Sequence, residues 1–133
     1  MHAMVTRMTH SRHFDVYVAS CTPSGGIYHY KLHDSHLELA EITPADRPMY
    51  MVIEEKKMYV LLRAPFENRE SGVVVYEIDD NGKLMNPSAI QSTKGEVACH
   101  ILVWHLFNPC CFTTMGSQST AKKKGARYIL GIR

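Results

Sequence analysis

GVVVYEIDDNGKL, residues 72–84, joins a β-branched run to an Asn-Gly pair. The valines followed by Tyr76 and Ile78 are typical of a buried β-strand, because branched and aromatic side chains fit a pleated surface. Asn81-Gly82 is the strongest short signal for a tight hairpin turn. The stretch therefore predicts a strand over 72–79 and a turn over 79–83.

Similar short strands with turns between them extend outward from this stretch to residue 103. No segment before residue 100 has a sustained helical period, so the sequence predicts an all-β chain. The other predicted strands are DVYVAS (15–20), GGIYHYKL (25–32), LELAEI (37–42), PMYMVIE (48–54), MYVLLRA (58–64) and ACHILV (98–103).

The strands repeat along the chain. Tyr30 in GGIYHYKL corresponds to Tyr76 in GVVVYEI, and Leu37 after the first turn corresponds to Leu84 after the second. The spacing between equivalent positions is about 45 residues, which is typical of the four-stranded blades of a β-propeller. A blade cannot bury both of its faces alone, so each needs a neighbour on either side.

Composition and charge limit the class of protein. The chain has 133 residues, enough for one ordinary domain, and a formal net charge of +2. No apolar run approaches the ~18 residues of a membrane span, and the N-terminal residues lack the apolar core of a secretion signal. We therefore expect a cytoplasmic protein with reduced thiols and neither a membrane nor a nucleic-acid partner.

The segment GIYHYKLHDSHLELAEITPADRPMYMVIEEKKMYVLLRAPFENRESGVVVYEIDDNGKLMNPSAIQSTKGEVACHILV (26–103) resembles the lactonase family of seven-bladed β-propellers. The resemblance lies in the order of GIY-x-Y, a proline-led apolar strand, a Tyr-Val strand, V-x-x-Y-x-I, a glycine turn and CHI-x-V, and it covers residues 15–103. It implies a lactonase-type propeller of which about two blades are present. We expect a poorly ordered leader over 1–14 and a divergent, non-propeller tail over 104–133.

The tail changes character abruptly. No acidic residue follows Glu96, and WHLFNPCCFTTMG (104–116) has no blade pattern. We hypothesise a truncated or frame-shifted reading of a longer propeller gene, which the sequence of the locus would test. Two blades cannot close a ring of seven, so we expect activity to depend on further blades. We also expect open sheet edges that permit self-association.

The resemblance implies an enzyme that hydrolyses 6-phosphogluconolactone to 6-phosphogluconate, in the pentose-phosphate route, with no cofactor and no metal. His100 at the start of the last strand matches the family's CHI histidine and is the candidate base, with a structural histidine as the alternative. Arg63 at a strand end is the candidate for the anionic substrate, and Glu67 a weaker pocket candidate. The alternative for Arg63 is an exposed ion pair with Glu67 or Glu70. The alternative for Glu67 is a solvated loop residue.

Two other readings remain open. One is a non-catalytic propeller fragment that acts as a binding or assembly scaffold. The other is a small metal-binding domain, because potential ligands gather between residues 99 and 111. Their spacing does not favour a structural zinc site, since adjacent residues of a strand point to opposite faces. These ligands are Cys99, His100, His105, Cys110 and Cys111.

Overall fold

The computed structural model describes residues 2–7, 13–96, 98–105, 110–115, 121–124 and 127–132, with side chains described for residues 3–4, 13–95 and 98–103. The described residues form thirteen strands in three sheets. This confirms the predicted all-β class. None of the described residues belongs to a helix that could cross a membrane.

The first sheet is an antiparallel meander with the strand order β1-β2-β3-β4. Its first strand lies within the segment that the sequence suggests is a leader, and it pairs with β2 from His2 opposite Ala19 to Arg7 opposite Phe14. The β3–β4 hairpin turns at Asp34, whose φ of 53° an aspartate tolerates better than most residues. The strands are β1 (His2–Arg7), β2 (His13–Ser20), β3 (Gly26–His33) and β4 (His36–Pro44).

The second sheet has the order β5-β6-β7-β8, with β9 also paired to β7. The predicted turn at 79–83 is confirmed. Asp79 Oδ1 accepts hydrogen bonds from the backbone N–H groups of Asn81 and Lys83, both at 2.8 Å. Gly82 takes a φ of +83°, the left-handed region that favours glycine. The strands are β5 (Pro48–Glu54), β6 (Lys57–Leu62), β7 (Glu70–Ile78), β8 (Leu84–Met85) and β9 (Gln91–Glu96).

The third sheet has the order β10-β11-β13-β12. Its first strand is the predicted strand at the end of the blade repeat. The other three lie in the segment expected to diverge, and β11 pairs with β13 in parallel, unlike the antiparallel first two sheets. The strands are β10 (His100–His105), β11 (Cys110–Met115), β12 (Ala121–Lys124) and β13 (Arg127–Ile132).

The second sheet is buried on both faces, and β6 shows why its sequence is continuously apolar. Met58, Val60 and Leu62 point into a cluster shared with the first sheet, whereas Tyr59 and Leu61 point into a second cluster shared with β10. Successive side chains of a strand alternate between faces, so a strand with two buried faces needs apolar residues at every position.

The first strands of the three sheets lie side by side. Each of β1, β5 and β10 is the edge strand of its sheet, and β5 contacts both β1 and β10. Sheets that meet at their first strands and stack face to face have the arrangement of adjacent propeller blades. The described part of the chain is therefore a partial β-propeller.

A buried polar group joins the first sheet to the turn of the second. Oδ1 of Asp15 lies 2.5 Å from Nε2 of His29 and accepts a hydrogen bond of 2.7 Å from Nζ of Lys31. Lys31 also donates to the backbone carbonyl of Asn81 in the turn. Because Asp15 is only 1% exposed, these contacts offset the cost of burying its carboxyl group. The sequence reasoning missed this group, although Asp15 lies on the same strand face as Tyr17 and Ala19, two and four residues further on.

Tyr17 completes the contact between the two sheets. Its ring stacks on that of His29 with centroids 4.8 Å apart, and its hydroxyl donates to the carbonyl of Gly82. A Cβ at position 82 would lie 2.6 Å from Oδ1 of Asp15, so the turn approaches this closely only because residue 82 is glycine. Burial, with a smaller contribution from Asp15, raises the pKa of the Tyr17 hydroxyl well above its ordinary value.

Candidate functional site

His100 meets Tyr50 where the second and third sheets come together. The Tyr50 hydroxyl lies 3.3 Å from Nε2 of His100, and the two ring centroids are 4.3 Å apart. His100 begins β10, and Tyr50 is the third residue of β5, so the contact joins the first strands of two neighbouring sheets. The imidazole is half-buried and so remains partly open to solvent. An imidazole placed in this way can take a proton from water.

Arg63 lies at the same end of the second sheet. The register pairs Pro48 with Leu62 and Tyr50 with Leu61, so the end of β6 lies beside the start of β5. The backbone N–H of Arg63 donates to the carbonyl of Arg47 at 3.0 Å, which fixes the chain at this point. The fold therefore brings two of the sequence-predicted site residues, His100 and Arg63, to one end of adjacent strands.

The guanidinium of Arg63 is exposed and takes part in none of the ion pairs of the described residues. Its suggested partner Glu70 instead accepts a hydrogen bond from the hydroxyl of Ser92, which lowers the pKa of the Glu70 carboxyl group. The other suggested partner, Glu67, is an exposed residue of the loop that follows Arg63. An exposed guanidinium without an acidic partner can bind an anionic group in a forked geometry.

Ser71 links the Arg63 loop to the segment that leads into the strand of His100. Its hydroxyl donates to the carbonyl of Arg63 at 2.9 Å and accepts from the N–H of Ala98 at 3.1 Å. Ser71 is fully buried, so neither hydrogen bond competes with solvent. The sequence reasoning missed Ser71 and also Tyr50. No local signal identifies either residue, because their partners are distant in the sequence: Tyr50 contacts His100, and Ser71 contacts Ala98.

Arg47 is a second arginine at this end. Its Nη1 lies 3.6 Å from Asp46 Oδ2 and donates to the carbonyl of Ala64 at 3.4 Å. Both contacts are at the long limit for direct interactions, and the side chain is about a third exposed. Arg47 therefore adds positive charge beside Arg63 and braces the loop that follows β6.

No group of three or more potential metal ligands comes together in the part of the chain whose side chains are described. Cys99 is exposed whereas its neighbour His100 is half-buried against Tyr50, and neither Cys21 nor Cys99 forms a disulfide. The side chains of His105, Cys110 and Cys111 lie outside the described residues. A metal site that uses them stays an untested alternative.

A family model described as "Lactonase, 7-bladed beta-propeller" matches residues 15–106, more than two thirds of the chain. The chain belongs to the lactonase family. The match begins within β2, contains β3 to β10, and extends three residues beyond Val103, where the sequence resemblance ends. Searches of curated proteins and of solved structures gave no significant match.

Membership of the lactonase family indicates hydrolysis of a lactone as the general chemistry. His100, Tyr50 and Arg63 all fall inside the matched residues. A shallow surface depression of about 360 Å³ also occurs in the lactonase region, but at the opposite end of the second sheet. Glu55, Lys56 and Lys57 of the β5–β6 hairpin line it, and Lys56 already donates to Asp80 at 2.7 Å. We therefore place the candidate site at the end with His100.

Proposed function

We propose that this chain contributes the site of a cytoplasmic sugar-lactone hydrolase whose substrate is 6-phosphogluconolactone and whose product is 6-phosphogluconate. Membership of the lactonase family supports lactone hydrolysis. The observation that carries the finer proposal is the exposed guanidinium of Arg63, which forms no ion pair among the described residues and lies at the same strand ends as the Tyr50–His100 pair. A lactone ester and a phosphate on one sugar call for a base and a cation in the same site.

The proposed step needs neither metal nor redox cofactor. With Nε2–H of His100 donating to the Tyr50 oxygen, Nδ1 of the same ring accepts a proton from water as the water oxygen bonds to the lactone carbonyl carbon. The bond from that carbon to the ring oxygen then breaks, and the ring oxygen takes the proton back from the imidazolium to become a hydroxyl group. The product acid ionises, so one proton is released for each ester cleaved. The Tyr50 hydroxyl holds the imidazole in position, and Arg63 binds the phosphate.

Proton release by the full 133-residue chain tests this proposal. The substrate is 6-phosphogluconolactone at neutral pH, and the spontaneous rate without protein is subtracted. His100, Tyr50 and Arg63 all lie within this chain, so the proposal requires acceleration by the chain itself, in proportion to protein concentration, although two blades do not close a ring. We expect loss of most of it in His100→Ala and retention in Lys57→Ala, an exposed residue at the opposite end of the sheet. A wild-type chain that is folded by circular dichroism and gives only the spontaneous rate contradicts the proposal for this chain.

The exposed apolar side chains of β4 favour a second candidate function, a non-catalytic propeller fragment that acts as a binding scaffold. Leu37 is 52% exposed, and Leu39 and Ile42 are each 47% exposed. A scaffold would bind a partner without accelerating lactone hydrolysis, and His100→Ala would leave that binding unchanged. The proton-release measurement therefore separates the two candidates.

A further inference from the structure

The turn at 79–83 carries an asparagine whose side chain is open to attack by the backbone. Asn81 is exposed, and its side-chain amide makes no hydrogen bond with the residues whose side chains are described. The next residue is Gly82, which has no side chain to shield its backbone nitrogen. Of all residues, glycine is therefore the one that least hinders attack of its nitrogen on the carboxamide of Asn81.

The other two asparagines with described side chains differ in both respects. Oδ1 of Asn68 accepts a hydrogen bond from the backbone N–H of Glu70 at 3.2 Å, and Nδ2 of Asn86 donates to Oε2 of Glu77 at 2.8 Å. Asn68 is followed by an arginine, and Asn86 is followed by a proline, which has no backbone N–H. Asn81 is therefore the one of these three that combines an unengaged side chain with an unhindered neighbouring nitrogen.

The same two residues supply backbone acceptors that fasten the second sheet to the first. The carbonyl of Asn81 accepts a hydrogen bond from Nζ of Lys31, and the carbonyl of Gly82 accepts one from the hydroxyl of Tyr17. Lys31 also donates to the buried carboxyl group of Asp15. A change in the backbone between residues 81 and 82 therefore moves the acceptor of Tyr17 relative to that of Lys31.

The contact has no room for an additional backbone atom. Gly82 is buried, and a Cβ added there would lie 2.6 Å from Oδ1 of Asp15 and 2.9 Å from Cε1 of His29. Both distances are shorter than the van der Waals separation of the atoms, so any extra atom forces its surroundings apart. Lengthening the chain at this point must push the turn away from the first sheet.

We propose that Asn81 is a deamidation site, at which an isoaspartyl linkage forms and loosens the contact between the first two sheets. The Gly82 nitrogen leaves its 3.1 Å hydrogen bond to the carbonyl of Asp79, loses its proton to water and bonds to Cγ of Asn81. The bond from Cγ to the amide nitrogen breaks, and that nitrogen takes up a proton and leaves as ammonia. Water then opens the cyclic imide, so the net reaction consumes water and releases ammonia.

The two directions of ring opening have different consequences. Attack of water at Cγ gives an aspartate on an unchanged backbone. Attack at the main-chain carbonyl carbon of residue 81 makes the chain run through the former side chain, which inserts a methylene group before Gly82. Both products add a carboxylate beside Asp79 and Asp80, but only the isoaspartyl product displaces Gly82 and breaks the hydrogen bond from Tyr17.

Peptide mapping of the full 133-residue chain tests the reaction. The chain is incubated at mildly alkaline pH until a free peptide with the sequence of residues 70–83 is converted, and it is then unfolded and cut with trypsin. Cleavage after lysine and arginine places Asn68, Asn81 and Asn86 in the separate peptides 64–69, 70–83 and 84–94. We expect the peptide of Asn81 to gain the mass of an amide-to-acid conversion and to become a substrate for isoaspartyl methyltransferase. The other two peptides are expected to keep their masses.

Urea midpoints of the converted chain test the consequence. We expect the converted wild-type chain to unfold at a lower urea concentration than the fresh chain. Asn81→Ala, incubated in the same way, is expected to keep its midpoint because it has no amide at this position. Asn81→Asp carries the added charge on an ordinary backbone and is expected to unfold at a higher urea concentration than the converted wild-type chain.

Two results of the mapping overturn the proposal: a 70–83 peptide that keeps its mass, because the fold then prevents the reaction, or equal conversion at Asn68 or Asn86. Two results of the urea titrations do the same: a converted chain with the midpoint of the fresh chain or of Asn81→Asp, or an equal loss in incubated Asn81→Ala. Neither measurement uses lactone hydrolysis, so each outcome is independent of the proposed function.

Discussion

The Tyr50 hydroxyl lies 3.3 Å from Nε2 of His100, and the two residues come from the first strands of neighbouring sheets. If the phenol holds the imidazole in position for water attack, Tyr50→Phe lowers kcat for lactone hydrolysis while leaving KM nearly unchanged. His100→Ala removes the base and lowers kcat by about 10²–10⁴-fold. Steady-state kinetics check both values. A Tyr50→Phe variant with wild-type kcat rejects the role of the phenol, and wild-type kcat in His100→Ala rejects the site.

Arg63 is exposed and without an acidic partner among the described ion pairs. Loss of a charge-assisted hydrogen bond costs about 1.5–3 kcal/mol, so Arg63→Ala is expected to raise KM for 6-phosphogluconolactone by about 10–100-fold. KM for unphosphorylated gluconolactone is expected to stay the same, and Lys57→Ala serves as the charge-matched control. Equal effects on both lactones show that Arg63 does not read the phosphate.

Ser71 joins the carbonyl of Arg63 to the N–H of Ala98 through its buried hydroxyl. Ser71→Ala leaves the buried N–H of Ala98 without this acceptor, so we expect a loss of about 1–3 kcal/mol in the free energy of unfolding. Urea titration measures the loss. Ser35→Ala, at an exposed position of the β3–β4 turn, is the control and is expected within about 0.5 kcal/mol of wild type. A Ser71→Ala variant as stable as the control shows that the link contributes nothing.

Gly82 allows the turn of the second sheet to approach Asp15 and His29. An alanine there combines the cost of φ +83° with a Cβ only 2.6 Å from Asp15 Oδ1. We expect Gly82→Ala to lower the free energy of unfolding by about 2–4 kcal/mol. Asn81→Ala, in the same turn but exposed and with an ordinary φ, should unfold near the wild-type denaturant midpoint. Equal midpoints for the two variants would mean that the turn can withdraw from the first sheet without cost.

Alkaline pH is expected to destabilise the contact made by Tyr17. Burial raises the pKa of its hydroxyl, so the folded chain keeps the proton after the unfolded chain, with a pKa near 10, has lost it. The unfolded state then binds fewer protons, and stability falls as pH rises above about 10, by at most about 1.4 kcal/mol per pH unit for this group.

Urea midpoints measured between pH 8 and pH 11 check this dependence. Tyr17→Phe is less stable at pH 8, because it loses the hydrogen bond to the Gly82 carbonyl, but its stability falls less steeply with pH. Burial also raises the pKa of Tyr76, so some alkaline dependence is expected to remain in Tyr17→Phe. An identical slope in wild type and variant contradicts the assignment of this dependence to Tyr17.

The local pattern was enough for β2–β7 and β10 and for the turn at 79–83, because alternation and Asn-Gly chemistry act over a few residues. The repeat was also readable, and the register confirms it: Tyr30 and Tyr76 occupy equivalent pairs. The pairing of β1 with β2 was not readable, since nothing near His2–Arg7 indicates where its partner lies. The same holds for Ser71, whose hydroxyl acts on Ala98, 27 positions along the chain.

The sequence by itself determined the all-β class and the blade repeat, because both depend on residue type and spacing. Its resemblance to the lactonase family supplied the family and the choice of His100 and Arg63 as candidates. Only the tertiary structure decided that His100 lies against Tyr50 and that Asp15 is shared by His29 and Lys31. These are contacts between strands brought together by burial of apolar surface. They depend on which faces meet in space, and a linear pattern does not specify this.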